Sequence, residues 1–152
     1  SINPSHHHTN CFWKGNRYVS IGPMRFLGID YGTKRIGFAL SDEEGNFAYP
    51  HLVLKNNSKI IGQIAAICRG ERVEEIVLGW SLDYHRRENP MMKQVNVFRA
   101  ALAAATGLPV HLEDEVLTTR EADQETGPDD FTDARAAAII LRTYLAHRGV
   151  LR

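Results

Sequence analysis

Three acids stand where carboxylates distant in sequence could be brought to one point. Asp30 ends the apolar run in Gly28-Ile29-Asp30-Tyr31-Gly32-Thr33, Glu115 closes Leu112-Glu113-Asp114-Glu115, and Asp133 opens an alanine-rich stretch in Phe131-Thr132-Asp133-Ala134. Carboxylates a few ångströms apart raise one another's pKa, and one takes up a proton unless a cation intervenes. Mg²⁺ or Mn²⁺ reverses that balance, because hard cations take oxygen ligands. Two such ions about 3.5–4 Å apart can activate a water and stabilise the leaving oxygen of a phosphodiester. In that arrangement Asp30 would bridge the ions, and Glu115 and Asp133 would each hold one side. Each acid also has a plainer use. Asp30 can bond its own turn backbone, Asp133 can complement the positive end of a helix, and Glu115 can be solvated.

Around Asp30, Gly32 allows a positive φ and a close backbone approach to a ligand, or simply a tight turn. Lys34 and Arg35 put positive charge beside the acids and could contact a phosphate. The Gly-x-Asp-x-Gly-Thr pattern also occurs in the phosphate loops of actin-like and sugar-kinase ATPases. A chain of 152 residues argues against that use, since those enzymes close two such domains around the nucleotide. Arg86, Arg87, Lys93 and Arg99 form a second basic group, interleaved with Trp80 and Tyr84, which could stack on bases. The alternative is a solvated loop and helix face.

The bulk numbers fit one soluble domain. Hydrophobic residues make up 43% and charged residues 24%, ordinary proportions for a globular chain. No apolar run approaches the roughly 18 residues of a membrane span, so no membrane partner is expected. Cys11 and Cys68 fit neither a zinc spacing nor a disulfide framework, which suits a reducing cytosol. The 18 basic and 18 acidic residues cancel, without the basic surplus of a general nucleic-acid binder. Glu113–Asp133 holds nine acids against one basic residue, Arg120. That stretch would repel a bare phosphate backbone and attract a divalent cation.

The elements that must position these residues begin at Met24. Residues 1–23 are polar, carry His6-His7-His8 and lack the apolar core of a secretory signal. They read as a cloning remnant, a mis-assigned start or a flexible extension. Arg25–Asp30, Arg35–Ser41 and Phe47–Leu54 read as three strands joined by short turns, an antiparallel meander. Ser58–Arg69 has helical spacing with Ser58 as the cap. Glu75–Gly79 reads as a buried strand, Pro90–Thr106 as a helix stopped by Gly107, Val110–Leu112 as a strand, and Thr132–His147 as a final helix. Strand–helix alternation implies parallel strands joined by right-handed crossovers. The order β-β-β-α-β-α-β-α predicts an α/β domain over residues 24–152, a five-stranded mixed sheet flanked by helices, in the ribonuclease H-like layout. Ligands of such sheets collect at the carboxyl ends of parallel strands. The first and last strands can lie side by side there, bringing Asp30 and Glu115 together.

Met24-Arg25-Phe26-Leu27-Gly28-Ile29-Asp30-Tyr31-Gly32-Thr33-Lys34-Arg35-Ile36-Gly37 resembles the opening of the YqgF family, the RuvX-like proteins linked to Holliday-junction resolution and pre-16S rRNA cleavage. The similarity continues through Phe38–Asp42, Ala48-Tyr49-Pro50, Glu74–Gly79, Gly107–Val110, Asp114–Ala122 and Asp133–Ala137. The resemblance implies a ribonuclease H-like fold, with an acidic triad at Asp30, Glu115 and Asp133 that would hold Mg²⁺ or Mn²⁺. Substrate contacts are expected from Lys34, Arg35, Thr118, Arg86 and Arg87. The implied activity is metal-dependent cleavage of structured nucleic acid in the bacterial cytoplasm, on precursor 16S rRNA or branched DNA, by a monomer or weak homodimer. Three departures stand out. Val116 replaces the family's usual arginine, Trp80-Ser81-Leu82 replaces Leu-Pro-Leu, and the segment between Ala122 and Asp133 is short and acidic. The first and the last remove basic residues that would draw in a substrate, so a non-catalytic RNA-binding or ribosome-assembly role is the alternative.

Overall fold

The computed structural model describes residues 11–15, 17–20, 24–80, 90–114 and 131–150. Two short strands, β1 (Cys11–Lys14) and β2 (Arg17–Ser20), pair antiparallel as a separate two-stranded sheet. Part of the segment read as a flexible extension is therefore a hairpin. Lys14 is in register with Arg17, and Gly15 takes a positive φ of 66°.

The main sheet contains β3 (Arg25–Tyr31), β4 (Arg35–Ser41), β5 (Ala48–Lys55), β6 (Val73–Trp80) and β7 (Val110–Asp114). Its order is β5-β4-β3-β6-β7. The β3–β4 and β4–β5 pairs are antiparallel, and β3–β6 and β6–β7 are parallel. Helices α1 (Ile60–Gly70), α2 (Pro90–Thr106) and α3 (Thr132–Val150) complete the expected order. One expectation fails. β6 lies between β3 and β7, because each crossover lays its strand outside the previous one. Asp30 and the end of β7 are thus two strands apart, roughly 10 Å at ordinary strand spacing.

The two faces of the sheet differ in side-chain size. Alternation puts Leu27, Ile29, Tyr31, Ile36, Phe38, Leu40, Ile76, Leu78 and Trp80 on one face, where they pack on Ile60, Ile64 and Cys68 of α1 and Val95, Phe98 and Leu102 of α2. The other face presents Phe26, Gly28, Gly37, Ala39, Val77 and Gly79 to α3, whose buried side includes Ala137, Ala138, Ile140 and Leu141. Small residues on both partners let α3 settle deeply. A Cβ on Gly28 would lie 2.8 Å from Leu141 Cβ, and one on Gly79 would lie 2.6 Å from Ile140 Cδ1.

Local details differ from expectation in two places. Ser58 does not cap α1. Lys59 occupies the cap position without a side-chain bond, and the Asn57 carboxamide oxygen accepts from the Lys59 backbone N–H at 3.0 Å. Gly107 does end α2, with φ of 69° and its N–H donating to the Ala103 carbonyl at 2.9 Å. Among the described residues, no helix is long and apolar enough to cross a membrane.

Candidate active site at the carboxyl end of the central strands

Asp30 is the next-to-last residue of the central strand and is only 6% exposed. It is in register with Gly37 of β4 and Gly79 of β6. Cross-strand partners point to the same face, so Asp30 projects toward α3. Gly37 fixes what it meets there. A Cβ on Gly37 would collide with the backbone carbonyl of Asp133 and come within 2.7 Å of the Ala134 nitrogen. The first turn of α3 thus rests on the strand position opposite Asp30. Paired Cβ positions are about 5 Å apart, so the backbone at the start of α3 lies beside the end of β3 that carries Asp30. The sequence motif contained Gly37, but only its close approach to α3 reveals its role.

Asp133 lies in the first turn of α3, at the positive end of the helix, where a carboxylate is favoured. The Arg35 Nε is 3.4 Å from Asp133 Oδ2, with the arginine side chain half exposed. At that exposure the pair adds little stability, so its interest is positional: Arg35 turns toward the acid. Lys34 is exposed in the β3–β4 turn. That turn is braced from β5's end, where the Asn56 N–H donates to the Lys34 carbonyl at 2.9 Å and its side-chain amide to the Gly32 carbonyl at 2.9 Å. Gly32 is not among the positive-φ residues. It is needed because a Cβ there would strike the Arg35 carbonyl, so the tight-turn reading is the right one.

Other residues expected at the site are distributed differently. Glu115, Val116, Thr118, Tyr84, Arg86 and Arg87 lie outside the described residues. Trp80 is 6% exposed and packed in the core, so it is no stacking platform. It follows Gly79 on the large-residue face of β6 and is buried under α1 and α2. Arg99 donates from Nε to the Val110 carbonyl at 3.2 Å, bracing α2 on β7. Lys93 borders an open groove of 410 Å³ between α1 and α2, lined also by Tyr31, Ile61, Val97 and Phe98. That groove lies on the sheet face opposite Asp133.

The edge strand is also tied to α3. Glu113, in register with Gly79, pairs with His147 Nδ1 at 3.3 Å. Glu75 accepts from Arg148 at 3.2 Å and pairs with His111 Nε2 at 3.1 Å. The Tyr144 ring stacks on His111 at 5.1 Å. Burial, then the nearby Glu75 carboxylate, pushes the Tyr144 hydroxyl above its ordinary pKa. These contacts hold the far end of α3, and with Gly37 at its start they fix where Asp133 stands.

Asp30 and Asp133 supply hard oxygen donors from two elements in contact, a donor set that fits a divalent cation. Among the described residues, no group of three His, Cys, Asp or Glu could hold a metal ion; the third expected acid, Glu115, follows β7 directly. Two residues that sequence reasoning passed over flank Asp133. Phe131 is 41% exposed, and the Arg135 guanidinium lies 5.9 Å from its ring centroid. Their i, i+4 spacing across Asp133 was the available signal.

A family model described as RuvX, Holliday junction resolvase, matches residues 24–147. A protein of Maridesulfovibrio salexigens named "Putative pre-16S rRNA nuclease" is 35% identical over 133 residues, covering 81% of this chain and 98% of its own. One of the same name from Syntrophus aciditrophicus is 39% identical over 132 residues, covering 80% and 88%. Among solved structures, T. thermophilus RuvC in complex with a Holliday junction substrate superposes with a TM-score of 0.56 at 19% identity, over 83% of this chain and 96% of that one. This last likeness supports the fold alone, which is ribonuclease H-like.

Proposed function

The chain belongs to the RuvX Holliday junction resolvase family, and from that premise we propose that it is a divalent-metal-dependent endonuclease of structured nucleic acid. Its first expected substrate is precursor 16S rRNA, the substrate named for its relatives, and its second is branched DNA. The reading places it in the cytoplasm, as a monomer or weak homodimer. The observation that carries it is the seating of Asp133 on Gly37, directly across from Asp30.

Asp30, Asp133 and Glu115 would together hold Mg²⁺ or Mn²⁺. A cation bound there supplies a lowered pKa for an attacking water and charge stabilisation for the leaving oxygen. The chain's own contribution is placement. The rigid end of β3 fixes Asp30, and the Gly37 contact fixes Asp133. Arg35, next to Asp133, and Lys34, in the exposed turn, face incoming phosphate oxygens. Thr118, Arg86 and Arg87 complete the proposed substrate contacts.

The test is cleavage of a precursor 16S rRNA fragment and of a four-way DNA junction. Cleavage should require Mg²⁺ or Mn²⁺, stop with EDTA, and fall about a hundred- to a thousandfold in Asp30→Asn, in keeping with loss of an electrostatic catalytic element. No cleavage of either substrate with either metal, or wild-type turnover by Asp30→Asn, defeats the proposal.

A further inference from the structure

The charges of this neutral chain are sorted along its strands. Both β3–β4 and β4–β5 are antiparallel, so β4 begins and β5 ends at the carboxyl end of β3, where Asp30 stands. That end carries Lys34 in the β3–β4 turn, Arg35 at the start of β4, Lys55 at the end of β5 and Lys59 at the cap of α1, all exposed. Asn56 holds the β5–α1 connection against the turn through its bonds to the Lys34 and Gly32 carbonyls, each 2.9 Å. Tyr31–Ser41 and Ala48–Gly70 contain no Asp or Glu. The nearest acids along the chain lie at the opposite end of the sheet. There the Glu43 carbonyl accepts from the Met24 N–H at 2.6 Å, and Glu71 pairs with Arg25, the first residue of β3, at 2.9 Å. Arg35 and Lys55 are directly in register across β4 and β5. Cross-strand partners share a face, and Arg35 lies 3.4 Å from Asp133, so Lys55 stands on the α3 face too. Like charges placed directly opposite destabilise a sheet. Asp133 answers Arg35, but among the described residues Lys34, Lys55 and Lys59 form no ion pair.

We propose that Lys34, Arg35, Lys55 and Lys59 form a phosphate-binding ridge that carries a nucleic-acid backbone across the β4–β5 side of the site. This rests on the nuclease reading and gives it a substrate path. The arm flanking the cut leaves over β5, roughly 10 Å from β3 at ordinary strand spacing. It does not leave over β7, whose carboxyl end carries Glu113 and Asp114. The chemistry is that of backbone recognition. Ammonium and guanidinium groups neutralise phosphates and release their counterions. Such contacts fix the register and orientation of a duplex without reading its bases. A polyanion laid on the ridge also relieves the opposition of Arg35 and Lys55, which has no such relief in the free protein. The ligand is therefore a continuous phosphate backbone, which RNA and DNA both supply. A chain of zero net charge can bind it because these cations are gathered at one end of the sheet.

The experiment measures binding in EDTA, where a metal-dependent nuclease does not turn over. The full chain is titrated against a fluorescent blunt DNA duplex and its RNA counterpart over a series of salt concentrations. Lys55→Gln and Lys59→Gln should each reduce the dependence of log affinity on log salt by about 0.9, the value of one duplex phosphate contact, and the double variant by about 1.8. A fourfold rise in salt should then weaken the double variant about twelvefold less than wild type. Arg69→Gln is the control. It removes one exposed cation from the last turn of α1, at the opposite end of the sheet, and should leave the salt dependence unchanged. Lys55→Gln should melt at or slightly above the wild-type temperature, because it removes a like-charge opposition. A response with only one of the two duplexes assigns the ridge to that polymer. The inference is overturned if the wild-type protein shows no salt-dependent duplex binding, if the double variant keeps the wild-type dependence, or if Arg69→Gln reduces it equally. These readouts need no metal. Altered salt dependence without any cleavage sinks the nuclease reading alone, and intact cleavage with unaltered salt dependence sinks the ridge alone.

Discussion

Replacing Gly37 with alanine should damage activity far more than stability. The new Cβ would collide with the Asp133 carbonyl and lie 2.7 Å from the Ala134 nitrogen, whereas ordinary contact begins near 3.4 Å. Both obstacles are backbone atoms of a helix start, which cannot rotate out of the way. The first turn of α3 must therefore retreat by roughly 0.7 Å or more, carrying Asp133 away from Asp30. Overpacking of this kind costs about 1–3 kcal/mol, a drop in Tm of roughly 2–4 °C per kcal/mol for a chain of this length. A misplacement near 1 Å at a reacting centre costs on the order of a hundredfold in rate. Gly79→Ala is the matched control. Its Cβ meets Ile140 Cδ1 at 2.6 Å and Cγ2 at 2.8 Å, atoms of a side chain that can shift while the start of α3 stays in place. Thermal unfolding should show comparable losses for the two variants, while metal-dependent cleavage falls about a hundredfold only in Gly37→Ala. Equal activity losses in both, or wild-type turnover by Gly37→Ala, would refute the idea that Gly37 sets the position of Asp133.

Ser41→Ala should lower stability by about 1–3 kcal/mol, measured by denaturant unfolding. The buried hydroxyl accepts from the Phe26 N–H at 2.8 Å and donates to the Asp42 carbonyl at 2.9 Å, and alanine leaves the Phe26 N–H buried without that acceptor. Cys68, on the buried face of α1, has its thiol pushed up from 9.0 to about 11 by desolvation. The folded state holds this proton more tightly than the unfolded one, so the contribution is intact below about pH 9. It is then lost as pH rises toward 11, at up to about 1.4 kcal/mol per pH unit. A Cys68→Ala variant should lack that alkaline loss in denaturant melts. Arg35→Gln should leave Tm within about 1 °C of wild type, because exposed ion pairs add little, yet raise KM for cleavage by weakening phosphate contact; an unchanged KM assigns Arg35 to Asp133 alone.

Much of this arrangement is legible in the sequence because it follows local rules. The alternation in Arg25–Tyr31 and Arg35–Ser41 marks two half-buried strands, and Pro90 with Gly107 marks both ends of α2. The place of β7 was not legible, because strand adjacency depends on where each crossover lands rather than on the strand's own residues. Trp80 misled for a related reason. Its type suits stacking, but its parity on β6 sends it into the core with Ile76 and Leu78. The hairpin of β1 and β2 did carry its signal, Gly15-Asn16 between two four-residue runs, obscured by polar flanks. Position along the chain singles out Asp30 and Asp133. What brings their backbones together is the missing side chain at Gly37, and a missing side chain becomes informative only once its neighbour is known.

The acid-rich composition of residues 113–133 suggested a site that repels its own substrate. The described part of that stretch changes the balance. Glu113 has His147 Nδ1 within 3.3 Å, and Asp133 has Arg35 beside it. The positive end of α3 lies at the same point. A chain of zero net charge can therefore present a local field that is mixed rather than uniformly negative, and a bound divalent cation would shift it further toward positive. Non-specific attraction to phosphate should then depend on the cation as well as on salt. Duplex affinity should rise when Mg²⁺ is added to the Asp30→Asn protein only if Asp133 and its neighbours retain the ion. Separating the cation dependence from the salt dependence distinguishes attraction by the metal centre from attraction by the fixed basic residues, which the sequence composition alone merges into one number.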